Sequence, residues 1–145
     1  MYHFLLKLSI LYSKISPMSG RIDVSKLDNT FPEDHELKVA RYFADRGKNV
    51  TFIRPSNIPG VHTPDIYMDG VEWEIKSPVG TSKRTIEVCL RKAITQSDSI
   101  IFDLRRSRLK EEWAVSQLLD NFKSKTKIKR LLIIKKNGEL ISRSR

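Results

Sequence analysis

The sequence predicts an α/β domain built on a mixed central sheet flanked by helices. Three observations carry that expectation. Apolar residues recur at helical spacing in three segments (Leu37, Ala40, Phe43, Ala44; Ile86, Leu90, Ala93, Ile94; Trp113, Leu118, Leu119). Between them stand unbroken apolar runs suited to buried strands, Ile100–Leu104 and Leu131–Ile134. Asp69-Gly70 and Asn137-Gly138 mark two-residue hairpin turns. A chain of 145 residues is long enough for one domain with its own core, and 39% hydrophobic with 30% charged residues excludes a disordered tail.

Taken in order, residues 1–29 stand apart as an N-terminal arm and residues 30–145 as the functional domain. The arm carries an apolar patch (Phe4, Leu5, Leu6, Leu8, Ile10, Leu11) that Lys7 interrupts. It falls far short of the roughly 20 residues that span a bilayer, and Tyr12-Ser13-Lys14 makes a poor cleavage site, so neither a membrane span nor a secretory signal is expected. Thr30-Phe31-Pro32-Glu33 has the form of a capping box with proline in the first turn, predicting a helix to about Arg46 that stops at Gly47. Glu36 borders its buried face; Glu33 and Asp34 are expected to look outward or cap the helix. A strand over 49–53 follows, then a loop punctuated by Pro55, Pro59 and Gly60. Two strands flank Asp69-Gly70. Helices are expected over 85–97 and 108–122 with Trp113, Leu118 and Leu119 inward, and a final hairpin runs from Leu131 into Ile141.

Charge narrows the function. The chain carries 27 basic and 17 acidic residues, a formal charge of +10, and all of that excess lies beyond residue 82. A neutral half holding most of the carboxylates, joined to a strongly basic half, suits a polyanionic partner handled at an acidic site. The single cysteine, Cys89, excludes an intrachain disulfide and a cysteine-based zinc site, and reads as a small buried hydrophobe.

The hairpin concentrates acids. A two-residue Asp69-Gly70 loop pairs Met68 with Val71, Tyr67 with Glu72, Ile66 with Trp73 and Asp65 with Glu74. Opposed residues share a face with Cβ atoms about 5 Å apart, and period two puts Lys76 on the Glu74 face. Trp73 then points into the core, while Tyr67 shares the acid face. Like charges directly opposed are destabilising. A divalent cation, neutralisation by Lys76 alone, or fraying that solvates both acids would each relieve the pair. With Glu36 on a helix that packs on this sheet, three carboxylates and a lysine form the layout for metal-assisted phosphodiester cleavage. His35 and His62 lie near in sequence and read as surface or loop histidines.

Pro64-Asp65 followed nine residues on by Glu74-Ile75-Lys76 resembles the PD-(D/E)xK nuclease superfamily. More narrowly, residues 33–135 resemble the toxin domain at the C-terminus of contact-dependent growth inhibition proteins, the CdiA C-terminal tRNA nuclease family. The resemblance runs through Glu36–Ala40, Ala44–Gly47, Thr63–Asp65, Asp69-Gly70, Glu74–Lys76, Leu90–Gln96 and Ile100–Leu104. It implies a restriction-endonuclease-like fold and an active site of Glu36, Asp65, Glu74 and Lys76, supported by Gln96. Asp65, Glu74 and Glu36 would hold a divalent metal, Mg²⁺ foremost with Mn²⁺ or Zn²⁺ as alternatives. It further implies tRNA as substrate, a small immunity protein as partner and the bacterial cytoplasm as the site of action. Lys83, Arg84, Arg91, Lys92, Arg105, Arg106 and Arg108 are expected to grip nucleic acid, with Lys123, Lys125, Lys127, Lys129 and Arg130 as a second cluster. A DNA endonuclease of the same superfamily, or a basic nucleic-acid-binding module without catalysis, are the competing readings.

Overall fold

In the computed structural model, which describes residues 19–145, the strands lie side by side in chain order. Strand β1 (Ile22–Asp23) pairs in parallel with β2 (Val50–Phe52) across helix α1 (Asp34–Ala44). Strands β2, β3 (Ile66–Met68) and β4 (Val71–Lys76) form an antiparallel meander. Helix α2 (Thr85–Ile94) and helix α3 (Glu111–Ser124) are the crossovers that keep β4, β5 (Ser99–Asp103) and β6 (Arg130–Ile134) parallel. An antiparallel β7 (Leu140–Ser144) closes a mixed sheet of seven strands. No helix among the described residues is long and apolar enough to cross a membrane.

The two faces of the sheet bury separate cores, as strand alternation requires. On one face Val39, Ala40 and Phe43 of α1 pack with Phe52, Met68, Trp73 and Ile75. On the other, Ile86 and Leu90 of α2 and Leu118 of α3 pack with Ile100, Phe102, Leu131 and Ile133. Because Trp73 and Ile75 face α1, Glu74 and Lys76 between and beyond them face α2. The all-buried β5 explains why its sequence shows no polar alternation.

Several expectations need correcting. Helix α1 begins at Asp34, and Thr30 does not cap it: the Thr30 hydroxyl donates to the Leu27 carbonyl at 3.0 Å instead. The helix still ends where Gly47 takes φ +86°, with Lys48 N–H donating to Phe43 O. Helix α2 starts at Thr85 as predicted but ends three residues short of 97, and α3 is shifted two or three residues beyond the predicted 108–122 at both ends. Trp113 is 39% exposed, because the buried stripe of α3 is Ala114, Leu118 and Phe122, a quarter-turn away. The apolar patch of residues 4–11 lies outside the described residues. The described part of the arm contributes β1 to the sheet and Leu27 to the core beneath α1.

Arg105 belongs to the framework. Its guanidinium forks onto the buried Asp103 at 2.9 Å through both Nε and Nη2, reaches the Lys38 carbonyl at 3.2 Å and lies over the Tyr42 ring. This joins the end of β5 to α1. Removing the exposed Arg105 leaves the buried Asp103 carboxylate without its charge-assisted hydrogen bonds, so Arg105→Ala is expected to cost about 2 kcal/mol of unfolding free energy. In urea titrations Asp103→Asn combined with Arg105→Ala should cost less than the two single changes added together; strict additivity would show that the pair is not coupled.

Candidate active site

Strand β4 runs three residues beyond its partner: the ladder with β3 ends at Ile66 opposite Trp73, leaving Glu74, Ile75 and Lys76 without β3 partners. The hairpin register predicted from the Asp69-Gly70 turn holds for the first three pairs, with Asp69 at φ +54° and Gly70 at φ +76° as a tight two-residue turn requires. The fourth pair differs. Asp65 N–H donates to Trp73 O at 2.9 Å, one residue out of register, and the Asp65 carboxylate Oδ2 accepts the Ile75 N–H at 2.8 Å. A buried strand cannot leave that N–H bare, and a side-chain oxygen takes the place of the missing β3 carbonyl. The two acids therefore converge through an offset and not as directly opposed residues.

The hairpin does not fray. Glu74 is 2% exposed, and its Oε2 lies 3.1 Å from Lys76 Nζ, which also donates to Gln96 Oε1 at 3.4 Å. Gln96 stands just past the end of α2, so helix and strand together fix the lysine. The other oxygen, Glu74 Oε1, is buried with no hydrogen-bond partner. Burial and the neighbouring Asp65 carboxylate push the Glu74 carboxyl upward, against the opposing pull of Lys76. Burial and then the Asp65 charge likewise push Glu36 up to about 7. Glu36, Asp65, Glu74, Lys76 and Gln96 line one cavity of about 360 Å³. The structure brings all five predicted residues together.

The cavity also has walls that were not anticipated. Glu33 and His35 line it, with His35 Nδ1 3.3 Å from Glu33 Oε2, and the ligand atoms of Glu33, His35 and Glu36 lie within 4.8 Å of one another. Their signal was present in the sequence only as proximity to Glu36, since an outward-facing first turn and a site-facing one look alike. Cys89 lines the cavity half-buried, and burial raises its thiol, so it is a neutral wall and no nucleophile.

The donor set suits a divalent cation: four carboxylates, Glu33, Glu36, Asp65 and Glu74, with the His35 imidazole beside them, and one oxygen of Glu74 that is buried without a hydrogen-bond partner. Burial first and the Asp65 charge second raise the Glu36 and Glu74 carboxyls, and a bound cation would offset both.

A model of the contact-dependent growth inhibition CdiA C-terminal domain matches residues 62–140, more than half of the chain. The chain belongs to that family. A chain of the solved CdiA-CT/CdiI toxin and immunity complex from Burkholderia pseudomallei has the same fold, with a TM-score of 0.64 at 17% identity over 87% of this chain and 100% of that one. No curated protein matches. The family match spans Asp65, Glu74, Lys76 and Gln96 and begins beyond Glu36.

The predicted basic grip divides by what each side chain touches. Arg105 is held by Asp103, and Arg106 donates through Nε and Nη2 to Ser77, at 2.8–3.1 Å to its carbonyl and 2.9 Å to its hydroxyl. Arg106 thus clamps the backbone immediately after Lys76. Arg91 pairs with Glu87 on the surface of α2, and Arg130 donates to the Ser99 hydroxyl at 3.3 Å. Lys83, Arg84, Lys92 and Arg108 are exposed, as are Lys123, Lys127 and Lys129 of the second cluster, while Lys125 is half-buried.

The raised Glu36 carboxyl makes stability depend on pH. The folded chain keeps this proton to about pH 7, whereas an unperturbed glutamate releases it near 4.5. The native state therefore binds more protons across that window, and stability falls as pH rises through it. In EDTA, melting temperature should drop between pH 4.5 and 7, and Glu36→Gln should flatten the drop. An equal drop in both proteins would contradict the assigned environment of Glu36.

Proposed function

We propose that the protein is a toxin-type endonuclease that hydrolyses phosphodiester bonds in RNA, with tRNA as its substrate and a divalent metal as its cofactor. The observation that carries this reading is the bare, buried Oε1 of Glu74 beside Asp65, in a cavity that also holds Lys76. Membership of the CdiA C-terminal family supports the toxin role. The PD-(D/E)xK assignment rests on Pro64-Asp65 and Glu74-Ile75-Lys76 standing on one hairpin beside a glutamate-bearing helix.

Asp65 and Glu74, with Glu36, would hold the cation. When bound, a cation of this kind polarises a phosphate oxygen and lowers the pKa of a water in its shell. The protein's own groups do the remainder. Lys76 places a fixed positive charge where charge grows on the phosphorus centre, and it orients the attacking water. Gln96 holds Lys76 in place through the 3.4 Å contact, and Arg106 fixes the backbone that follows it. The free surface cations bind the phosphate backbone without reading sequence. Water attack breaks the P–O3′ bond and leaves a 5′-phosphate and a 3′-hydroxyl.

A small immunity protein is the partner this reading implies, because the solved neighbour of the same fold comes from a toxin and immunity complex. The target-cell cytoplasm is the corresponding place of action.

Incubation with total tRNA, plasmid DNA and linear DNA in Mg²⁺, Mn²⁺ or EDTA tests the reading. Metal-dependent tRNA cleavage, abolished in Asp65→Ala and lowered roughly 100-fold or more in Lys76→Ala, is expected. Cleavage of DNA alone would overturn the substrate and keep the chemistry. Cyclic phosphate ends formed in EDTA would overturn the metal-assisted route. Salt-sensitive binding with no cleavage would leave a binding module.

A further inference from the structure

A second cavity, of about 390 Å³, adjoins the acid cavity and shares Glu33, Glu36, Asp65 and Gln96 with it. Its lining is mixed, with the apolar Phe31, Pro32, Pro55 and Val61 beside the polar Thr30 and His62. Phe31 is 90% exposed, the most exposed large hydrophobic side chain among the described residues, and Val61 is 48% exposed. A ring left this open contributes little to the core, and it stands in the wall of a cavity continuous with the acids, where a flat ligand can reach its face. Pro32 restricts the Phe31 backbone to extended conformations, so the ring is presented on a stiffened segment.

We infer that Phe31 is a stacking platform for an unpaired nucleobase next to the scissile phosphate, and that the substrate is therefore a single-stranded or looped segment. This rests on the nuclease reading above. The arrangement matches the two ends of a nucleotide. The phosphate needs the Lys76 end, where the acids would hold a cation, whereas the base is neutral and aromatic and finds its complement in Phe31. The volume lies within the range of small-molecule sites, so one nucleoside can enter. A base inside a duplex has both faces covered and cannot use the ring; an unstacked base can. Stacking of this kind accepts any base, so Phe31 selects unpaired structure and not sequence.

Binding of a short, unpaired, fluorescently labelled oligoribonucleotide to the full chain in EDTA at low salt tests the assignment, with melting temperature as the check on folding. Phe31→Ala should weaken binding by roughly 5- to 150-fold, the equivalent of one stacked base. Phe31→Tyr should restore it and Phe31→Leu should not. Against oligomers carrying one abasic residue, scanned along the strand, one position should abolish the difference between wild type and Phe31→Ala. A fully paired duplex should show no difference at any length.

Equal affinities of wild type and Phe31→Ala, with tRNA cleavage in Mg²⁺ intact, would overturn the platform and leave the nuclease standing. Full rescue by Phe31→Leu would reduce the ring to an apolar surface and overturn stacking. A concentration-dependent dimer of wild type that Phe31→Ala abolishes would give the ring to a second copy. A wild type that neither binds nor cleaves would overturn this inference together with the reading beneath it.

Discussion

The candidate site depends on a mismatch in strand length. Strand β4 outruns β3 by three residues, and the backbone N–H of Ile75 is left facing a partner that is not there. The Asp65 carboxylate fills the gap at 2.8 Å. This contact pins an acid at the end of the sheet beside Glu74. It commits Asp65 Oδ2 to the backbone and leaves its other oxygen as the one with no backbone commitment. It also fixes where the overhang goes: Glu74 and Lys76 point toward α2, where Gln96 is waiting. An alanine at position 65 would leave the Ile75 N–H without its acceptor and remove one carboxylate from the cavity.

From this anchor follows the charge imbalance that defines the cavity. Glu74 is buried with one oxygen on Lys76 and one oxygen bare, and a third carboxylate approaches from α1. With Glu33 also in the wall, a single lysine answers four acids. A folded protein tolerates such a cluster by keeping protons on it, as the upward shifts of Glu36 and Glu74 describe, or by binding a cation in exchange for those protons. The basic half of the chain carries the opposite charge, all of the net +10.

Much of this was legible in the residues. Asp69-Gly70 set the hairpin register because a two-residue turn leaves no freedom, and the helical spacing of α1 placed Glu36 over the sheet. The offset at Asp65 was not legible, because replacing a ladder bond with a side-chain bond leaves no periodic trace. Strand β1 is two residues long and carries no alternation to read. Arg105 and Arg106 looked like surface cations; only tertiary structure shows the first forked onto Asp103 and the second wrapped on Ser77. Thr30 and Glu33 fit a capping motif by spacing, yet Leu27, drawn into the core, turns the preceding loop so that the Thr30 hydroxyl bonds backward. His35 and Glu33 line the cavity for a reason that spacing does not express: the first turn of α1 overhangs the end of β3.

The central claim is that the bare oxygen of Glu74 belongs to a cation site shared with Asp65. Calorimetric titration of Mn²⁺ into the metal-free protein at neutral pH tests it most directly, with Glu74→Gln and His35→Ala in parallel. Binding to wild type and to His35→Ala, weakened about ten-fold or more in Glu74→Gln, is expected. Absence of binding, or a site lost in His35→Ala and retained in Glu74→Gln, would contradict it.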